Sequence, residues 1–125
     1  MIALDTSSLS AFFKGEEGPD IVLVERALAD RQACFPPVVL TELLSEPKLT
    51  EQVKAHLQQI ARLPISEGYW ERAGALRAKV LAQSRKARLA DTLIAQSCLD
   101  HNVPLICRNG DFRNFAEIGG LKLLS

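Results

Sequence analysis

The shortages in this sequence narrow the field before any motif is considered. No apolar run approaches the roughly 20 residues of a membrane-spanning helix, and the first residues lack the basic lead-in and small-residue cleavage site of a secretory signal, so a cytoplasmic protein with no membrane partner is expected. Cysteine is scarce: Cys34, Cys98 and Cys107 are odd in number, widely spaced and set in apolar contexts. That pattern points to reduced, buried thiols and away from a disulfide framework or a zinc site. The two histidines, His56 and His101, stand alone in a helix and a turn and are expected at the surface. There is no Ser-His-Asp set, no reactive-cysteine context and no phosphate-cradling glycine loop, so the common covalent nucleophiles are missing. Internal repeats, low-complexity tracts and linkers are also lacking, and 125 residues suit one domain, 1–125.

Net charge is lacking too, but its zero hides an asymmetry. Residues 1–71 carry 11 acids and 6 bases, residues 72–125 carry 4 acids and 9 bases, giving minus five and plus five. Between Glu71 and Asp91 no acid occurs, while Arg72, Arg77, Lys79, Arg85, Lys86 and Arg88 all do. Such a stretch can face phosphates; it is equally read as a solvated helix face whose bases suit the C-terminal end of the helix dipole.

What is present is an alternation of short apolar runs with helical periodicity. Ile2 to Leu4 reads as a strand buried on both faces, after which Ser7 or Ser8 caps a helix through Phe13. Ile21, Val24 and Leu28 recur at helical spacing after Pro19. A strand follows at Ala33 to Phe35, and Pro37 opens a helix running toward Pro47, because a missing amide hydrogen costs nothing in the first turn. Thr50 caps the next helix, with Val53, Leu57, Ile60 and Ala61 as its stripe. Leu63 to Ile65 is a weak strand. Ser66 caps a long helix with Trp70, Ala73, Leu76 and Val80 inward and Arg72, Lys79 and Lys86 on an outer face. A helix from Leu89 to Asp100, a strand at Val103 to Cys107, an Asn-Gly turn, a short helix from Asp111 and a strand at Leu121 to Leu124 complete the chain. The implied fold is α/β: a single-domain, three-layer sandwich with a mainly parallel, five-stranded sheet flanked by helices. Ligands of such sheets bind beyond the carboxyl ends of the strands, where strand order reverses; Asp5 and the segment Asn109 to Asp111 follow strands whose ends can meet at one rim.

Several acids stand where packing alone would not put them. Asp5 ends a short strand with few local partners besides its own loop amides. Asp91 shares a helical stripe with Ile94 and Cys98 and so points inward, although a first-turn acid also suits the helix dipole. Glu42 sits in the least polar helix, on the side of Val38 and Val39, or at its solvent edge. Asp111 is also an ordinary helix cap. Two carboxylates about 4 Å apart repel by roughly 4 kcal/mol at an effective dielectric of about 20. Converging acids therefore need protons or a cation, and hard oxygen donors without imidazole or thiolate favour Mg²⁺ or Mn²⁺ over zinc.

Taken in order, LDTS at the start, ELL near position 42, ADTLIAQ around position 91 and LICRNGDFRNF near the end resemble the PIN-domain ribonucleases, specifically the VapC-type toxins of prokaryotic toxin and antitoxin pairs. The likeness spans nearly the whole chain. It implies a PIN-like fold, and it implies metal-dependent hydrolysis of RNA by activated water, with Asp5, Glu42 and Asp91 as metal-binding acids and Thr6 in support. At the fourth position the family often reads Thr-Arg-Asp followed by Asp-Phe, or Thr-Arg-Asn with the acid slightly later; here Cys107 replaces the threonine and Asn109 holds the first acid slot. The fourth carboxylate is assigned to Asp111, with Asn109 as a neutral ligand or water contact. Arg85, Lys86 and Arg88, closest in sequence to Asp91, are the RNA-binding expectation. The resemblance further implies a small antitoxin partner and a homodimer, for which Leu9, Phe12, Phe13 and Leu43 are surface candidates unless they serve the core. The departures at Cys107 and Asn109 keep open a degenerate PIN domain that binds RNA or a partner without cutting. A receiver-like phosphoacceptor domain is a weaker alternative, since Asp5 is single and no lysine follows Lys86 until Lys122. A haloacid-type phosphatase would need an aspartate where Ser7 stands.

Overall fold

The protein, described over residues 1–125 by a computed structural model, is a parallel sheet flanked by helices. The chain runs β1 (Ile2–Leu4), α1 (Thr6–Phe13), α2 (Pro19–Ala29), β2 (Ala33–Phe35), α3 (Pro37–Leu44), α4 (Glu51–Gln59), β3 (Ala61–Arg62), α5 (Tyr69–Ala82), α6 (Leu89–His101), β4 (Leu105–Ile106), a 3-10 turn (Gly110–Phe112) and α7 (Arg113–Gly119). The strands pair in the order β3-β2-β1-β4. All are parallel, with Ala3 opposite Cys34 on one side and Leu105 on the other. From β1 the chain adds β2 and then β3 outward on one side before crossing to add β4 on the other. Order thus reverses at β1, and the crevice beyond β1 and β4 is where such sheets bind ligands.

The central strands are apolar because both their faces are covered: Ala3, Leu4, Cys34, Phe35, Leu105 and Ile106 are fully buried, and Leu9, Ile94, Phe112 and Phe115 join them in one core. Each large side chain so buried stabilises the fold by about 1.5–3 kcal/mol. That rigid core fixes the strand ends from which the polar rim projects.

Several local expectations are corrected. The cap of α1 is Asp5, not Ser7 or Ser8, since its carboxylate accepts the Ser8 amide. The third strand falls two residues early, at exposed Ala61 and Arg62; an edge strand needs only one good ladder side, and the charge on it discourages further pairing. The fourth strand shortens to Leu105–Ile106. The fifth reduces to one parallel bridge, Leu105 to Leu123, so the sheet has four strands. Gly68, in the left-handed conformation, precedes α5 in place of the expected Ser66 cap. This turns the helix by one residue: Tyr69 is 5% exposed and donates to the Leu93 carbonyl, while Trp70 is 60% exposed. Lys86 lies past the end of α5, not on it. His56 is exposed as expected, whereas His101 is half-buried with Nε2 2.7 Å from the Pro64 carbonyl. Leu9 and Leu43 belong to the core and are not surface groups; Phe12 and Phe13 pack partly against it. All three cysteines are buried and free. No helix is long and apolar enough to cross a membrane.

Candidate active site at the carboxyl ends of β1 and β4

Four separate segments bring polar groups to the rim. Asp5 leaves β1 in extended conformation and caps α1: Oδ1 accepts the Ser8 amide at 2.9 Å and Oδ2 the Ser7 hydroxyl at 2.7 Å. It is 3% exposed, and burial raises its pKa against the pull of those hydrogen bonds. Thr6, the next residue, donates from Oγ1 to Glu42 Oε1 at 2.6 Å, tying α1 to α3. Asp91 occupies the first turn of α6, half-buried. Beyond β4, Asn109 Oδ1 accepts the Asp111 amide at 3.2 Å and so caps the 3-10 turn, a role expected of Asp111 itself. The Asp111 carboxylate is thereby left for other uses.

Asp5, Thr6, Glu42, Asp91, Asn109 and Asp111 line one cleft of about 280 Å³, with Ile94 and Phe112 against its apolar side. The carboxylates of Asp91 and Asp111 accept no hydrogen bond and join no ion pair. The pKa of Asp91 is pushed up to about 6, first by burial and then by Asp111, with Arg88 opposing and Glu42 and Asp5 adding to the rise. Uncompensated negative charge therefore collects here. A larger groove of about 670 Å³ between α1 and α4 shares Thr6, Ser10 and Glu42 with the cleft, but Asp5, Asp91 and Asp111 lie outside it.

No three Asp, Glu, His or Cys side chains stand together as a ready ligand set, so a dry cage is not built in. The donors are all oxygen, however, and Mg²⁺ keeps several waters while taking only one or two carboxylates directly. A hydrated ion of that kind fits this donor chemistry, and a soft or nitrogen-preferring metal does not.

Asp91 and Asp111 also line a smaller adjoining lobe of about 170 Å³ with Lys86, Arg88, Gly110 and Asn114. Arg85 departs from the expected trio: its guanidinium is engaged by Glu117 and by Asn114 Oδ1. The sequence reading missed two further groups, Asp20 and Arg108. Buried Asp20 accepts the Ser8 hydroxyl at 3.0 Å and Arg108 Nη1 at 3.2 Å, linking the Asp5 cap to the loop that bears Asn109. A signal was present in RNGDF, where Arg108 directly precedes Asn109, but nothing local pointed to a partner 88 positions away.

No curated protein matches this chain at a significant level. Among solved structures, VapBC2 from Rickettsia felis bound to a DNA fragment from its promoter is similar at 24% identity and TM-score 0.75, covering 98% of this chain and 97% of that one. A toxin-antitoxin complex from Klebsiella pneumoniae is similar at 24% identity and TM-score 0.72, covering 100% and 97%. FitAcB from Neisseria gonorrhoeae follows at 16% identity and TM-score 0.73, covering 100% and 97%. At such identities these likenesses establish the fold. A family model described as PIN domain matches residues 2–118, which displaces the receiver-like and phosphatase alternatives: the chain belongs to the PIN-domain family.

Proposed function

We propose that this chain is a divalent-metal-dependent endoribonuclease, one nuclease domain acting as the toxin of a VapBC-type pair. The observation that carries the reading is the gathering of Asp5, Glu42, Asp91 and Asp111 from four separate segments into one small cleft, two of them with no internal partner. Asp5, Glu42 and Asp91 would hold Mg²⁺ or Mn²⁺, with Asp111 or Asn109 completing the set. When bound, the ion lowers the pKa of water and stabilises charge on the phosphate oxygens. Thr6 fixes the direction of Glu42. Asp5 is held in place by Ser7 and Ser8. Asp91, held by neither hydrogen bond nor ion pair, is free to orient or deprotonate the attacking water. The toxin reading draws on the solved toxin-antitoxin complexes of the same fold; with it go a small antitoxin, a homodimer and a cytoplasmic setting.

Purified protein is expected to degrade RNA with Mg²⁺ or Mn²⁺, to stop when chelator is added, and to lose activity on Asp91→Asn while remaining folded. Cleavage that survives both treatments would remove the nuclease mechanism. Expression is expected to arrest bacterial growth, with relief by a small neighbouring reading frame. A second reading, a PIN domain that binds RNA without cutting it, is favoured by Asn109 in an acid position and by the lack of a three-acid cluster; RNA binding without cleavage in either metal distinguishes it.

A further inference from the structure

We infer that the lobe formed by Lys86 and Arg88 is a separate phosphate subsite, which takes the RNA phosphodiester adjoining the one presented to the acids. The inference rests on the RNA-directed reading above and adds to it the path of the strand. None of the six residues lining this lobe is apolar, which suits a solvated anion. Lys86 and Arg88 are exposed and take part in none of the ion pairs of the molecule, although Asp91 and Asp111 line the same lobe. Cations beside acids would ordinarily pair with them; here both signs are left available across a shared wall.

The segment that carries the cations lacks regular structure, yet it is fastened at several points. Ser84 takes a left-handed backbone conformation. Arg77 Nε donates to the Ala87 carbonyl at 2.8 Å, and Asn114 Nδ2 donates to the Lys86 carbonyl at 3.1 Å. Arg85, just before them in sequence, is anchored to Glu117. Holding a binding loop in place before the ligand arrives removes part of the ordering cost of association. Arg85 is thus a fastener for the loop, whereas its neighbours at 86 and 88 face the lobe. A strand crossing from the acidic cleft would place successive phosphates on opposite sides of Asp91 and Asp111.

The test compares K86Q/R88Q with R85Q, each checked for fold by circular dichroism, in binding to a short labelled single-stranded RNA across a KCl series with chelator present. Each phosphate contact contributes about 0.7 to the slope of log affinity against log salt for single strands. The lobe holds one phosphate, so the double variant is expected to flatten that slope by about 0.7, whereas R85Q, which loosens the loop without removing a phosphate contact, lowers affinity but leaves the slope near the wild-type value. Equal flattening by R85Q, an unchanged slope in the double variant, or no RNA binding by wild type at the lowest salt would overturn the subsite. In a second arm, one linkage of the RNA is replaced by an uncharged methylphosphonate at successive positions. At one position wild type is expected to lose affinity while the double variant loses none; equal losses in both would again overturn it. Neither arm depends on cleavage, so failure of the subsite and failure of the nuclease reading are separable.

Discussion

Arg108 reaches across the molecule to Asp20, with Nη1 at 3.2 and 3.3 Å from the two carboxylate oxygens and Nη2 at 2.9 Å from the Glu17 carbonyl. Asp20 also accepts the Ser8 hydroxyl, and the Ser8 amide in turn caps onto Asp5. The start of α1, the start of α2 and the loop after β4 are thereby joined. Asp20→Ala would leave the buried Ser8 hydroxyl and Arg108 Nη1 without their acceptor, a loss of about 2 kcal/mol. Urea unfolding is expected to show a lowered midpoint with unchanged m-value. Gly18→Ala should act on the same junction: at φ +153° a side chain is strained, and its Cβ would lie 2.7 Å from Asp20 Oδ1.

Thr6 is expected to matter for ion binding more than for stability. Its 2.6 Å bond to Glu42 is part-buried, so loss of the hydroxyl costs about 1 kcal/mol or less. Thr6→Val frees Glu42 to turn toward the α1–α4 groove that it also lines. Weaker Mn²⁺ binding by calorimetry is expected, severalfold, with recovery in Thr6→Ser. Identical affinity in Thr6→Val would remove the positioning role.

Much of the frame was legible because it depends on patterns local in sequence. The apolar runs at 2–4 and 33–35, Pro37 at a first helical turn and Thr50 as a cap all appear where the chain implies them. Elements that depend on distant context were less legible. Whether Leu121 to Leu124 pairs as a full strand is decided by its neighbour β4, which is only two residues long. Tyr69 and Trp70 both satisfy a helical stripe, and one residue of phase at Gly68 chose between them. At the site, the inward direction of Asp91 was readable from helical periodicity, and the engagement of Arg85 by Glu117 was not, since it joins residues 32 positions apart. Asp20 went unread for the same reason, because its partners Ser8 and Arg108 lie 12 and 88 positions away.

The three thiols should be chemically silent in the folded protein. Burial pushes Cys34 up to about 11 and Cys107 up to about 12, and raises Cys98 as well. Cys107 Sγ is also 3.2 Å from the Ser125 carbonyl. Because the thiolate is the reactive form, a thiol reagent near neutral pH is expected to label none rapidly in buffer and all three free cysteines in denaturant. A fast-reacting thiol in the native protein would show that one of these sites opens readily.

The Asp91 carboxylate predicts how stability of the metal-free protein varies with pH. Its pKa rises from 3.8 to about 6 on folding, chiefly through burial and then through Asp111. Between those values the folded state holds more proton than the unfolded chain, so stability falls as pH rises through the window and levels off above about 6. Asp5, also raised, acts in the same direction. Asp100 and Glu117 are lowered by Arg72 and Arg85, so their contributions are lost only as pH falls below the ordinary carboxylate range. Thermal melts in chelator should therefore give a higher midpoint at about pH 5 than at about pH 7.5, and Asp91→Asn should flatten that difference while stabilising the protein at the higher pH. Added Mg²⁺ should raise the midpoint of wild type near pH 7.5 more than that of Asp91→Asn, because binding to the folded state alone stabilises by mass action. A wild-type midpoint that climbs steadily from pH 5 to 7.5 in chelator, or an Asp91→Asn variant with the same slope, would show that this carboxylate carries no strain of charge in the fold.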